Sequence, residues 1–223
     1  MSNAFVFPDG KVDPSDGGAE VAAVRELFEE AGVLLCDRAL AAPKQAEWRR
    51  RLLAGEVDFP RLLAEEGLAP DRSRLHGWSR WITPSFEPKR FDAEFFLAEL
   101  PGEQVPSFDR KETVEEVWVT PEEALARQIA GSLPLPPPQV RTFHELAAAG
   151  TLDEAVRVAA ERRKQPVAIC PRPRPGGPGL TMLLPWDPEY ASAEGEGEPV
   201  APGHILAVPP SRLSWTGTAW DVA

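Results

Sequence analysis

A chain of 223 residues is long enough to bury the core of one domain with an appendage. Its 24 Lys plus Arg against 35 Asp plus Glu leave a net charge of −11, which excludes a general binder of nucleic-acid backbone. No apolar run approaches the roughly 18 residues of a membrane span, no basic-then-apolar leader opens the chain, and Cys36 and Cys170 make neither a disulfide framework nor a zinc set, so the chain reads as soluble and cytoplasmic.

Ala4-Phe5-Val6-Phe7 is a short apolar run stopped by Pro8-Asp9-Gly10, which predicts a strand ending in a turn. From Ala19 to Leu35 the apolar residues Val21, Ala22, Val24, Leu27, Phe28 and Ala31 recur at helical spacing, and Gly32 stands at a C-cap position. Residues 44–66 predict two short helices broken by Gly55 and Pro60, in the role of a lid or side wall. The aromatic-rich runs Leu75 to Thr83 and Phe91 to Leu100 read as paired strands, with Trp78, Trp81, Phe95 and Phe96 in the core. Val117-Trp118-Val119 predicts another strand, and Thr120-Pro121-Glu122-Glu123 caps the helix after it. Helices over about 139–149 and 152–164 follow. Beyond them Val167–Ile169, Leu180–Leu184 and His204–Val208 are candidate strands in a segment rich in the chain's 25 prolines. His76, His144 and His204 are scattered and read as structural.

The charge imbalance sits in two places: residues 1–35 carry −5 and residues 99–123 carry −6. The first surrounds Arg25-Glu26-Leu27-Phe28-Glu29-Glu30-Ala31-Gly32-Val33. On a helix Glu26, Glu29 and Glu30 stand at i, i+3 and i+4, so three carboxylates share one face beside Arg25. Like charges at that spacing repel by a few tenths of a kcal/mol per pair, roughly, and a hard divalent cation resolves the conflict. By themselves the three glutamates fit a solvated acidic face as well as a cation site. The flanking string, Phe7-Pro8-Asp9-Gly10-Lys11-Val12-Asp13 running into the helix, adds a glycine turn and makes a strand–loop–helix cradle.

With that string the sequence resembles the Nudix hydrolases, whose box reads G-x5-E-x7-R-E-U-x-E-E-x-G-U with U a bulky aliphatic residue. Arg25 to Val33 matches every specified position of the second half. In the first half the box glutamate falls on Asp16, and eight residues separate it from Arg25. Trp78-Ser79-Arg80-Trp81-Ile82-Thr83-Pro84, Arg90-Phe91-Asp92 and Trp118 to Leu125 are similar to the branch of peroxisomal-type coenzyme A diphosphatases and their bacterial relatives. The likeness covers roughly residues 4–146.

The resemblance implies an α/β (α+β) fold, an α/β/α sandwich with a mixed sheet. Residues 1–150 would form the Nudix-like domain with a helical insertion at 35–75, and residues 151–223 a helix with a Pro/Gly-rich strand extension. One or two strands that the resemblance expects ahead of Phe5 would be missing. It further implies that Glu26, Glu29 and Glu30 bind Mg²⁺ or Mn²⁺, that one of them orients or deprotonates the attacking water, and that Arg25 fixes the carboxylates. An additional acid would come from the second acidic segment, with Glu112 first and Glu115 and Glu116 next. Arg80, Lys89 and Arg90 fit either surface solubility or contact with substrate phosphates. The implied activity is hydrolysis of a diphosphate in a nucleoside diphosphate linked to X, coenzyme A or acyl-coenzyme A first, with a small nucleotide-type molecule as the partner and no nucleic acid or membrane. The alternative is a truncated or inactive Nudix-like module that binds a nucleotide or a protein partner. The tail would cover a sheet face or form a homodimer contact.

Overall fold

A computed structural model of the chain describes residues 4–102, 104–107, 116–176 and 179–222. Two compact units divide them. One comprises Phe7–His76 and Leu97–Trp118, the other Met1–Val6, Gly77–Phe96 and Val119–Ala223.

The first of these units is built on three helices, α1 (Ala19–Ala31), α2 (Ala42–Leu53) and α3 (Phe59–Glu66). Helix α1 buries Val21, Ala22, Val24 and Phe28, with Val24 and Phe28 wholly inaccessible. Burying such side chains contributes about 1.5–3 kcal/mol each. That outweighs the few tenths, roughly, that each pair of neighbouring glutamates costs, so the acidic face does not prevent the helix. Gly32 ends it at φ 68°, in the left-handed region that favours glycine, and its N–H donates to the Phe28 carbonyl at 3.0 Å. Helices α2 and α3 lie within residues 35–75. The ends of that segment lie side by side, the Asp37 N–H donating to the Ala69 carbonyl (2.9 Å) and the Asp71 N–H to that of Leu35 (3.1 Å). Glu66 of α3 accepts from Trp48 Nε1 at 2.7 Å and pairs with Lys44 at 2.6 Å, both on α2.

In chain order there follow β1 (Leu75–Ile82), β2 (Asp92–Ala98), α4 (Pro121–Ile129), α5 (Pro137–Ala149), α6 (Leu152–Arg163) and β3 (Ala168–Ile169). Strands β2, β1 and β3 form one sheet in that order, with β3 parallel to β1 and Arg80 opposite Ala168. Trp78 and Trp81 are buried, whereas Phe95 and Phe96 are only half-buried. Thr120 caps α4 and Thr151 caps α6, each accepting the N–H three residues on at 3.2 Å. The last strands, β4 (Arg172–Pro173), β5 (Thr181–Leu183), β6 (Arg212–Trp215) and β7 (Trp220–Val222), make an antiparallel sheet in sequence order.

Three strand expectations are corrected. Ala4–Phe7 and Val117–Val119 join no ladder among the described residues, and Trp118 is 68% exposed. A strand requires a partner, which a short apolar run does not itself specify. His204–Val208 is a run of turns, with Ala207 N–H donating to the His204 carbonyl and Val208 N–H to that of Leu206, both at 2.8 Å. The expected boundary at residue 150 falls between α5 and α6, two helices of one unit, joined by Glu145 and Arg162 at 2.8 Å. Both cysteines are buried thiols without a disulfide, and burial pushes Cys36 up to about 12.

Candidate functional site

The loop before α1 is tied by its own aspartates. Ser15 donates to Asp13 Oδ1 through its N–H (2.8 Å) and its hydroxyl (2.7 Å), which holds the Asp13 carboxyl below its ordinary value. Asp16 returns across the turn to accept the Asp13 N–H at 2.7 Å. Its side chain is fully buried, and Arg25 reaches it with Nε and Nη2, both at 2.9 Å.

The remaining Arg25 donors are also engaged. Nη2 donates to the Lys11 carbonyl at 2.8 Å, and Nη1 to Glu26 Oε1 (2.7 Å) and Glu29 Oε2 (3.2 Å). A guanidinium has five N–H donors, and here each has an acceptor. One positive charge thus serves Asp16, Glu26 and Glu29, and this company raises the Arg25 pKa above its ordinary value. Glu29 moves upward. Burial opposes its charge, Glu26 and Asp16 add repulsion, and Arg25 offsets only part.

Glu26, Glu29 and Glu30 line one cavity of about 470 Å³ with Asp9, Gly10, Lys11 and Leu53. Gly10 is there because of the close approach: a Cβ at that position would overlap the Glu26 carboxylate. The structure therefore brings Arg25 and the three glutamates together. Among the described residues no three His, Cys, Asp or Glu side chains are gathered so as to hold one ion as they stand, and Arg25 Nη1 engages an oxygen of Glu26 and one of Glu29.

The other candidates stand elsewhere. Glu112 and Glu115 lie outside the described residues, and Glu116 is exposed. Arg80, Lys89 and Arg90 belong to the unit containing β1 and β2. Arg80 forms a two-toothed pair with Asp92 at 2.7 and 2.6 Å. Arg90 donates to the Thr83 carbonyl at 3.0 Å and pairs with Glu196, and Lys89 stands 5.0 Å above the Phe91 ring. His204 is structural, its ring accepting the Leu206 N–H at 3.1 Å. Sequence reasoning missed the depth of Asp16, whose signal was its place in the box and its nine-residue spacing from Arg25. It also missed Gln45 and Arg49 of α2, for which no local signal exists.

A glycine packed against a carboxylate-bearing helix whose arginine engages two of the glutamates is the arrangement that the Nudix box describes. A family model described as the NUDT19 Nudix domain matches residues 4–146, and the chain belongs to that family. Among curated proteins it is similar to the human acyl-coenzyme A diphosphatase NUDT19, 32% identical over 79% of this chain and 52% of the relative. A putative nudix hydrolase 7 of Caenorhabditis elegans is 32% identical over 78% of this chain and 59% of that protein. The chain spans about half the length of these curated relatives. The crystal structure of a NUDIX hydrolase from Alicyclobacillus acidocaldarius matches with TM-score 0.54 and 30% identity, covering 69% of this chain and 72% of that one. The mixed α/β fold is that of the family.

Proposed function

We propose that the chain hydrolyses a diphosphate bond in a nucleoside diphosphate linked to another group, with coenzyme A or acyl-coenzyme A as the substrate class and Mg²⁺ or Mn²⁺ as the cofactor. The observation that carries this reading is the convergence of Glu26, Glu29 and Glu30 on one cavity floored by Gly10. The names of two relatives, acyl-coenzyme A diphosphatases, support the substrate class.

The residues fit a divalent cation. They offer hard carboxylate oxygens, the ligand type of Mg²⁺ and Mn²⁺, in a cluster where repulsion and burial already work against the charge on Glu29. Glu26, Glu29 and Glu30 would hold it. When bound, such a cation neutralises the diphosphate, stabilises charge developing on phosphorus and lowers the pKa of water. Arg25 orients Glu26 and Glu29, and Asp16 fixes Arg25. An ionised glutamate of the trio accepts the proton of the attacking water as its oxygen bonds to phosphorus. The bridging P–O bond breaks and its electron pair leaves with the departing phosphate. Coenzyme A would yield phosphopantetheine and adenosine bisphosphate.

Glu112, with Glu115 and Glu116 behind it, belongs to the proposal as the additional acid on sequence grounds. Arg80, Lys89 and Arg90 belong to it as contacts for substrate phosphates on charge alone. A second reading, a module that binds a nucleotide without cleaving it, is favoured by the engagement of Arg25 with Glu26 and Glu29. A panel of coenzyme A, acyl-coenzyme A, nucleoside diphosphate sugars and dinucleotides, assayed with and without Mg²⁺ or Mn²⁺, separates the two. Cation-dependent release of phosphopantetheine supports hydrolysis. Binding with no cleavage of any member supports the second reading.

A further inference from the structure

The last carbonyls of a helix have no partner within it. At the end of α1 they find partners in the insertion and in one loop. Arg49 of α2 donates through Nε to the Glu29 carbonyl at 3.0 Å and through Nη2 to the Glu30 carbonyl at 2.6 Å. The Ala31 carbonyl accepts the Ser107 N–H at 2.9 Å. Gln45, one turn before Arg49 on the same face of α2, donates through Nε2 to the Gly32 carbonyl at 2.9 Å. Arg49 Nη1 also donates to the Ser107 hydroxyl at 2.9 Å, so the guanidinium is fixed from a third direction. Gly32 leaves room for it: a Cβ there would stand 2.9 Å from Arg49 Nη1.

The two carbonyls that Arg49 takes are those of Glu29 and Glu30, residues whose side chains line the acidic cavity. The backbone sets where a side chain starts and which way it points. Leu53, one turn further along α2, lines the same cavity. The insertion is therefore joined to the glutamate helix at its working end.

We propose that Arg49 is a positioning residue for the cation site, fixing through the Glu29 and Glu30 carbonyls the backbone from which two of its three carboxylates spring. The inference rests on the cation-site reading above. It assigns the 35–75 insertion a part in building the site, beyond that of a covering wall.

The test is direct Mn²⁺ binding to the full chain, read from the electron paramagnetic resonance of unbound Mn²⁺, which requires no turnover. Arg49→Met keeps most of the stem and removes the fork; its dissociation constant for Mn²⁺ should rise about tenfold or more, as for other residues that support metal ligands. Arg49→Lys keeps the charge and reaches at most part of the carbonyl set, and it should fall between Arg49→Met and wild type even where Arg49→Met folds poorly. Arg50→Met is the control, because among the described residues Arg50 pairs with exposed Glu47 and Glu56, away from the cavity; it should bind within twofold of wild type. Wild-type binding with unchanged affinity in both Arg49 variants overturns the inference alone. Wild-type protein that binds no Mn²⁺ overturns the cation reading, and the inference with it.

Discussion

Arg25 and Asp16 are locked by two parallel hydrogen bonds of 2.9 Å, and the Asp16 side chain has no solvent exposure. The pair is asymmetric. Without Asp16, Arg25 still has Glu26 and Glu29 to pair with; without Arg25, the buried Asp16 carboxylate keeps, among the described residues, the Asp13 N–H as its donor. Removing one partner of a buried pair and stranding the other costs about 3–5 kcal/mol. Arg25→Met should therefore destabilise by about 3 kcal/mol or more, and Asp16→Ala by about 1–3 kcal/mol. Urea unfolding checks the order of the two, and a larger loss for Asp16→Ala would contradict it.

Gly10 separates function from stability. Its Cβ would meet the end of the Glu26 side chain, which can swing aside at small cost to folding. The carboxylate would then leave its place in the cavity, and displacement of an active group by about 1 Å can cost on the order of 100-fold in rate. Gly10→Ala should lower kcat/KM by at least about tenfold while changing unfolding free energy by less than about 1 kcal/mol. Steady-state kinetics beside a denaturant titration reads both.

Among the described residues, Glu145 is the carboxylate that pairs with two buried cations. Its Oε1 accepts from Arg141 Nε at 2.7 Å and its Oε2 from Arg162 Nη1 at 2.8 Å, while the guanidinium carbons lie over the rings of Trp186 and Trp78 at 4.8 and 4.1 Å. Burial already pulls the Arg141 pKa down. Glu145→Gln leaves two buried guanidinium groups without a counter-charge and should cost about 3–5 kcal/mol. Glu47→Gln, on a solvent-exposed pair with Arg50, should change nothing measurable. Equal effects of the two would contradict this account.

Asp187 sets an acid limit. Burial alone would raise its pKa, but Arg212, the Glu189 N–H and the Ser211 hydroxyl overcome that and hold it below the ordinary 3.8. A depressed carboxylate contributes stability that is present above the ordinary value and is lost as pH falls through the folded one. Urea midpoints from pH 7 to pH 2 should show wild type losing its advantage over Asp187→Asn only on the acid side, with the two converging at the lowest pH. A constant gap down to pH 2 would contradict this.

Much of the site was legible in the chain because its logic is local. The 3.6-residue period of Val21, Val24 and Phe28 and the terminal Gly32 specify α1, and the spacing of Glu26, Glu29 and Glu30 places them on one cavity. Contacts between distant segments left no such trace: Arg49 meets Glu29 across 20 residues through a side-chain fork. Ala4–Phe7 and Val117–Val119 have strand composition without a strand partner among the described residues. The β6–β7 hairpin had a signal that went unread. Trp215 and Trp220 face each other across Thr216-Gly217-Thr218-Ala219, with Gly217 at φ 101°.

The central claim is that the carboxylates of α1 bring a divalent cation to a diphosphate. Its most direct test is the rate of phosphopantetheine release from coenzyme A by wild type and by the Glu29→Gln/Glu30→Gln double variant, with Mg²⁺ or Mn²⁺ and with a chelator. The amides keep the shape and remove the charge. Hydrolysis should require the cation and fall by at least about 100-fold in the double variant, roughly 2.7 kcal/mol of transition-state stabilisation. Activity that survives either the chelator or the double substitution would contradict the claim.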